Sequence, residues 1–224
     1  MSVRGSILDK RSHSGKACHR AGVLMANSLQ EQNDTAMALA HQPLPAGPRV
    51  ALLTNAGGPA ALAADGLDDA GLKMADLTPE TQAQLKAVTP HGTQLGNPVD
   101  MLGGPRAEMF SATLDIILAD PGVDMAILIL VPQALVNPVV VAQAIIDSSK
   151  ESRQPVVACM MGEWGVGEAR KTRHSNGVPL YTFPETTGRV LAAMLGYARR
   201  IHQPAAAAIE LPGIDRGQVA GLLS

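Results

Sequence analysis

The sequence predicts one α/β domain built on a mainly parallel, doubly wound sheet. Short apolar runs of strand length alternate with helical patterns of about 10–15 residues, the signature of βαβ units. Gly and Pro punctuate those units throughout. The chain is 46% hydrophobic but only 2% aromatic, so the core must be built from Ala, Val, Leu, Ile and Met. Small aliphatic side chains suit helices lying closely on a parallel sheet better than they suit a sandwich of two sheets.

The elements follow in order. Residues 28–41 read as a helix, with Ser28 as N-cap and Glu31 completing a capping box. A Pro-rich connector, 42–48, leads to Arg49–Thr54, an apolar run short enough for a buried strand. Asn55-Ala56-Gly57-Gly58-Pro59 opens an alanine-rich helix that Gly71 stops. Residues 72–77 suit a second strand. Thr78-Pro79-Glu80 is a strong helix start, a hydroxyl cap followed by Pro at the first helical position. Residues 98–101 suit a short strand, and 106–119 a helix with Met109, Phe110, Leu114 and Ile117 on one face. Asp124–Val131 is the clearest strand. Asn137-Pro138 starts a helix to Lys150, residues 155–161 read as a strand, and 163–175 as a polar helix. A strand at 178–181 precedes a helix over 184–200, whose apolar stripe is Val190, Leu191, Met194, Leu195 and Ala198.

This organisation gives three segments: an arm over 1–27, the domain with its leading helix over 28–203, and a linker over 204–224. The formal net charge is −2, without the basic surplus of a nucleic-acid binder. The arm differs, holding Arg4, Lys10, Arg11, Lys16 and Arg20 against Asp9 alone. It reads as a solvated terminus or an anion-facing segment. Cys18 and Cys159 fit no metal spacing. No apolar run reaches the roughly 18 residues that span a bilayer, and no secretory h-region opens the chain. The expectation is a cytoplasmic protein with no membrane and no nucleic-acid partner.

In doubly wound sheets ligands bind outside the carboxyl ends of the strands. Four loops therefore qualify, after Thr54, Met101, Val131 and Met161. In the first, Gly57 and Gly58 let the backbone approach a ligand. The helix that follows offers free amides and the positive end of its dipole, so Asn55, Ala56, Gly57 and Gly58 form a candidate phosphate site. The bland alternative is a tight turn that binds nothing. In the second loop, Asn97, Asp100, Gly103 and Gly104 can orient a substrate or tie the loop to itself. His13, in Ser12-His13-Ser14-Gly15, is either a solvated terminal residue or an imidazole placed to take up a phosphoryl group. Trp164 lines a pocket or packs. No Ser-His-Asp arrangement, metal cluster or carboxylate pair is evident.

Several strings taken together resemble a known family. Gln42-Pro43-Leu44-Pro45, with Arg49 through Pro59, resembles the opening of the last flavodoxin-like domain in the α part of ADP-forming acetate–CoA ligases. These are NDP-forming acyl-CoA synthetases of the succinyl-CoA synthetase superfamily. Gly96-Asn97-Pro98-Val99-Asp100 resembles the family's second hallmark loop, and Gly177–Tyr181 with Pro184-Glu185 its closing strand and helix. The resemblance covers residues 20–202.

The resemblance implies a flavodoxin-like three-layer sandwich. It implies a reaction that interconverts carboxylate, CoA and ATP with acyl-CoA, ADP and phosphate through an acyl phosphate and a phosphohistidine. The Gly57-Gly58 helix matches one of the family's phosphate-cradling helices, and Ser12-His13-Ser14-Gly15 resembles the phosphohistidine string across a shortened spacer. CoA, ATP and Mg are implied for the full assembly, none of them bound by this chain alone. A CoA-binding Rossmann domain and an ATP-grasp domain are the implied partners, and stand-alone turnover is not expected. The alternative is a non-catalytic small-ligand or partner-binding domain of the same ancestry. An FMN-binding flavodoxin is disfavoured, because almost no aromatics stand near the loops to stack on a flavin.

Overall fold

The computed structural model describes residues 18, 22–103, 105–133, 137–162 and 177–202. Among them, six helices flank a parallel sheet of six strands. In chain order the elements are α1 (Leu29–His41), β1 (Arg49–Thr54), α2 (Gly57–Asp69), β2 (Lys73–Met74), α3 (Pro79–Val88), β3 (Val99–Asp100), α4 (Ala107–Leu118), β4 (Met125–Leu130), α5 (Pro138–Ser149), β5 (Val156–Met160), β6 (Leu180–Tyr181) and α6 (Pro184–Ile201). The strand order is β2-β1-β4-β5-β6, with the short β3 also pairing with β1. With β3 set aside, this is the flavodoxin-like order, which switches direction between β1 and β4.

Alternation along each strand divides the core into two layers. Ala51, Leu53, Leu128, Leu130, Ala158 and Met160 face α3, α4 and α5, where Leu85, Phe110, Leu114, Ile117 and Val141 receive them. Val50, Leu52, Ile127, Ile129 and Cys159 face α1, α2 and α6, meeting Ala38, Ala63, Leu67, Leu191 and Met194. β4 is buried along its whole length, as a central parallel strand must be.

The helix ends follow their sequence signals. Ser28 Oγ accepts from the Glu31 amide at 3.1 Å. The Glu31 carboxylate, however, reaches Asn27 rather than the amide of Ser28, bonding its N and Nδ2 at 2.7 Å each. Thr78 and Asn137 cap α3 and α5 through their side chains, each with Pro next in line. At the end of α2, Gly71 takes φ +73°. Its amide bonds Asp68 O, and the Leu72 amide bonds Leu67 O, both at 2.9 Å. This is a Schellman closure, which a left-handed glycine permits without a Cβ penalty.

Three expected strands are shorter than the apolar runs suggest. β2, β3 and β6 each pair over two residues, although Leu72, Ala75, Leu77, Met101 and Val178 around them are buried. Burial follows apolarity, but pairing needs a neighbour at hand. β2 runs beside Arg49–Val50 and β3 beside Leu53–Thr54, so the two divide one edge of β1. The polar helix expected over 163–175 lies outside the described residues.

Two buried carboxylates fasten the opposite end of the sheet. Asp124 takes the Arg49 guanidinium at 2.8 and 2.9 Å and the Arg49 amide at 2.9 Å. The guanidinium holds its carboxyl below the ordinary range, against the effect of burial. For Asp120, burial is the largest single influence and opposes ionisation. Hydrogen bonds from Thr81, Thr78 and Gly122 together outweigh it and leave that carboxyl lowered as well.

Helices α2 and α6 cross at two glycines. A Cβ built on Gly188 would lie 2.7 Å from the Gly66 carbonyl oxygen, whereas one on Gly66 meets nothing nearer than the Glu185 Cα at 3.4 Å. Backbone cannot step aside as a flexible side chain can. We expect Gly188→Ala to destabilise the fold by about 1–3 kcal/mol. Gly66→Ala should be close to neutral, because a gain of up to about 1 kcal/mol in helix propensity offsets the tighter contact. Urea unfolding of both variants beside wild type checks the asymmetry.

Candidate functional site

At the switch in strand order, Asn55 ties the carboxyl ends of β1 and β4 together, and Thr54 fixes the turn that follows β1. Asn55 is 2% exposed. Its Nδ2 donates to Val131 O and its Oδ1 accepts from Val131 N, both at 2.9 Å, forming a rung of the kind a peptide group makes. Thr54 Oγ1 accepts from the Ala56 amide at 3.0 Å and donates to the Ala56 carbonyl at 3.1 Å. The chain therefore turns from strand to helix in a fixed geometry.

Helix α2 then begins with its first turn open. Its N-cap, Ala56, has no side chain that can cap. Pro59 has no N–H, and the first amide to find a helical acceptor is Ala60, to Ala56 O at a long 3.4 Å. Gly57 and Gly58 are exposed, and their amides meet no acceptor among the described residues. Such amides, at the positive end of a 13-residue helix, are donors of the kind that an anion takes. Of the four candidates in this loop, Asn55 and Ala56 spend their side chain and amide on the scaffold. Gly57 and Gly58 are the ones left facing outward.

The second loop runs alongside. Asn97, joined to Pro98 by a cis peptide bond, sits where the edge of β1 passes from β2 to β3. Its Oδ1 accepts from Leu52 N at 2.8 Å, and its Nδ2 donates to Val50 O at 2.8 Å and to Ala75 O at 2.9 Å. The side chain thus stands in for the missing strand. Asp100 is 8% exposed; its Oδ1 accepts from the Leu102 amide at 2.9 Å. Its Oδ2 faces the start of α2, where a Cβ on Gly57 would come within 3.3 Å of it. Met101 N bonds Thr54 O at 2.9 Å, tying the two loops together. Gly103 approaches Gln133 so closely that an added Cβ would stand 3.2 Å from Oε1, which brings in the loop after β4.

The structure thus gathers Asn55, Ala56, Gly57, Gly58, Asn97, Asp100 and Gly103 at one edge of the sheet. Gly104, His13 and Trp164 lie outside the described residues. Sequence reasoning had not singled out Thr54 or Gln133. A hydroxyl just before an Asx-Ala-Gly turn was a usable signal for Thr54, while nothing local marked Gln133.

Other chemistry is limited among the described residues. Burial, with a smaller push from Glu185, drives the Cys159 thiol up to about 12, so it stays protonated at neutral pH. No three His, Cys, Asp or Glu are grouped to hold a metal ion. No helix is long and apolar enough to cross a membrane.

Residues 50–208 match the model of the Ligase-CoA domain. The chain is 37% identical over 189 residues to the α subunit of acetate–CoA ligase [ADP-forming] II from Pyrococcus furiosus, which covers 83% of this chain and 41% of that subunit. It is 31% identical over 199 residues to 4-hydroxybutyrate–CoA ligase [ADP-forming] from Nitrosopumilus maritimus, covering 88% of this chain and 28% of that protein. A crystal structure of a Pyrococcus horikoshii OT3 protein superposes with TM-score 0.79 at 37% identity, over 84% of this chain and 44% of its own. Acetyl-coenzyme A synthetase 1 of Candidatus Korarchaeum cryptofilum, in complex with phosphate and ADP, superposes with TM-score 0.77 at 28% identity, over 88% and 42% of the two chains. The chain therefore spans less than half the length of these relatives.

We expect Asn97→Ala to cost at least about 2 kcal/mol, because it strips partners from Leu52 N and Ala75 O at the edge of β1. Thermal unfolding beside Asn97→Asp checks the reason. An aspartate keeps an acceptor for Leu52 N but turns a second oxygen on two carbonyls, so it should not rescue. Full stability in either variant would remove Asn97 from the frame of the site.

Proposed function

The chain belongs to the Ligase-CoA domain family of NDP-forming acyl-CoA synthetases, and from that we propose that it serves as the flavodoxin-like ligase module of such an enzyme. The observation that carries the reading is the open first turn of α2 at the strand-order switch, with the Gly57 and Gly58 amides free to take a phosphoryl group. In the proposed reaction a carboxylate, CoA and ATP are interconverted with acyl-CoA, ADP and phosphate. A histidine receives the phosphoryl group from ATP and passes it to the carboxylate, giving an acyl phosphate. CoA thiolate then displaces phosphate from that acyl phosphate.

In this scheme α2 lowers the free energy of the phosphorylated histidine by pairing its anionic oxygens with two amides and the helix dipole. Each such interaction contributes about 0.3–1 kcal/mol, and up to about 2 where the site is partly buried. His13 is the proposed carrier, on the strength of the Ser12-His13-Ser14-Gly15 string. Asn97 and Asp100 set the second loop, and Gly103 with Gly104 let the carboxylate substrate approach its backbone. Nucleotide and its Mg are handled by an ATP-grasp partner, and CoA by a Rossmann domain. In this reading turnover needs the assembly.

The test is phosphorylation. The chain is incubated with Mg-ATP and its ATP-grasp partner, and an acid-labile phosphoryl group is sought by intact mass. Wild type should gain it and His13→Ala should not. Gly58→Asp separates folding from function, since a Cβ there meets nothing within 4 Å. Its carboxylate should raise stability by about 0.5 kcal/mol through the helix dipole. The same charge should cut phosphorylation at least about tenfold by repelling the incoming group. Phosphorylation retained in His13→Ala moves the carrier elsewhere. No phosphorylation of wild type with the partner bound overturns the catalytic reading in favour of a non-catalytic domain of the same ancestry.

A further inference from the structure

A charge of the wrong sign for a simple anion site stands at the mouth of α2. Asp100 is 8% exposed, and only one of its oxygens is used, Oδ1 for the Leu102 amide. Oδ2 has no hydrogen-bond partner among the described residues and faces the first turn of α2, 3.3 Å from where a Cβ on Gly57 would sit. The β1–α2 loop, the turn to Leu102 and Gln94, whose backbone pairs with that of Asp100 in an antiparallel bridge, surround it. Among the described residues they bring no other titratable side chain into hydrogen-bond contact with it. A buried carboxylate oxygen without a donor is costly, and native structures rarely keep one without a purpose. A fully ionised oxyanion on the Gly57 and Gly58 amides would be repelled by it. An oxyanion carrying a proton would instead donate that proton to Oδ2 and gain a charge-assisted hydrogen bond.

We infer that Asp100 determines the specificity of the α2 site, which takes a phosphoryl group presenting an O–H or N–H donor beside its anionic oxygens and rejects a fully ionised oxyanion. The inference rests on the Gly57-Gly58 cradle of the proposed function. Two sources share this chemistry. One is hydrogen phosphate free in solution. The other is a phosphoryl group on an imidazole whose second ring nitrogen bears a proton.

The test titrates the full chain with inorganic phosphate and with sulfate by calorimetry, across the pH range in which phosphate loses its second proton. Sulfate remains a dianion throughout and has no donor. Wild type should bind phosphate at least about tenfold more tightly than sulfate throughout that range, because phosphate keeps an O–H on both sides of its second ionisation. Asp100→Asn keeps an acceptor for the Leu102 amide but presents a donor in place of Oδ2. It should bind the two anions alike.

Equal binding of phosphate and sulfate by wild type overturns the inference without any variant. So does discrimination that survives in a folded Asp100→Asn. Binding lost in Gly58→Asp but indifferent to Asp100 overturns this inference alone and leaves the cradle standing. Failure of wild type to bind either anion overturns both. Phosphorylation of the assembled protein then identifies the source. A tenfold lower yield in Asp100→Asn points to the imidazole-borne group, and an unchanged yield with anion selectivity lost points to free phosphate.

Discussion

The backbone of β1 must be paired on both sides, because the strand lies buried with its core residues at 0–1% exposure. An unpaired peptide group there would cost about 1–3 kcal/mol. On one side β4 supplies a full ladder. On the other, β2 leaves after Val50 and β3 arrives only at Leu53, so Leu52 N on β1 and Ala75 O just beyond β2 would be stranded. Asn97 closes that gap with one amide group, and Asn55 closes the equivalent gap beyond the end of β4. Two side-chain amides acting as peptide groups thus decide where the strands end. That in turn decides where α2 begins and which amides it exposes.

The placement of those ends gives the site its electrostatic character. The first turn of α2 is left uncapped, with glycine at its first two positions and proline at its third, so that few donors remain and all of them point outward. A serine or aspartate cap would have stabilised the helix by about 1 kcal/mol and filled the space a ligand needs. Among the other helices, α1, α3 and α5 carry side-chain caps, while α4 and α6 also begin without one. Asp100 adds a negative charge at the edge of the same space. Positive amides and a negative oxygen side by side read a proton on the ligand as well as its charge.

How much of this was legible in the sequence depends on the range of the interaction involved. β1, β4 and β5 were legible, because a strand buried on both faces is a continuous apolar run. The caps at Ser28, Thr78 and Asn137 and the glycine closure at Gly71 were legible too, since each is settled within about five residues. The short pairing of β2, β3 and β6 was not, because its extent depends on whether a partner lies alongside. The Gly57-Gly58 turn announced itself, while the duty of Asn55 did not. Its partner, Val131, stands far off in sequence, and an Asn before Ala-Gly-Gly looks equally fit to touch a ligand. Asn97 shows the same ambiguity. It lies beside the candidate site, but its bonds go to β1 and to Ala75 rather than outward. The sequence resemblance identified the family, and coordinates were needed to separate struts from open donors.

Amide chemical shifts test the central claim most directly. In the labelled full chain, titration with inorganic phosphate should move the Gly57 and Gly58 resonances first and furthest, with Leu102 following through Asp100. The Asn55 side-chain amide should hold still in its rung with Val131. Saturating shifts confined to another helix start, or none at Gly57 and Gly58, would contradict the account and leave the turn as scaffold.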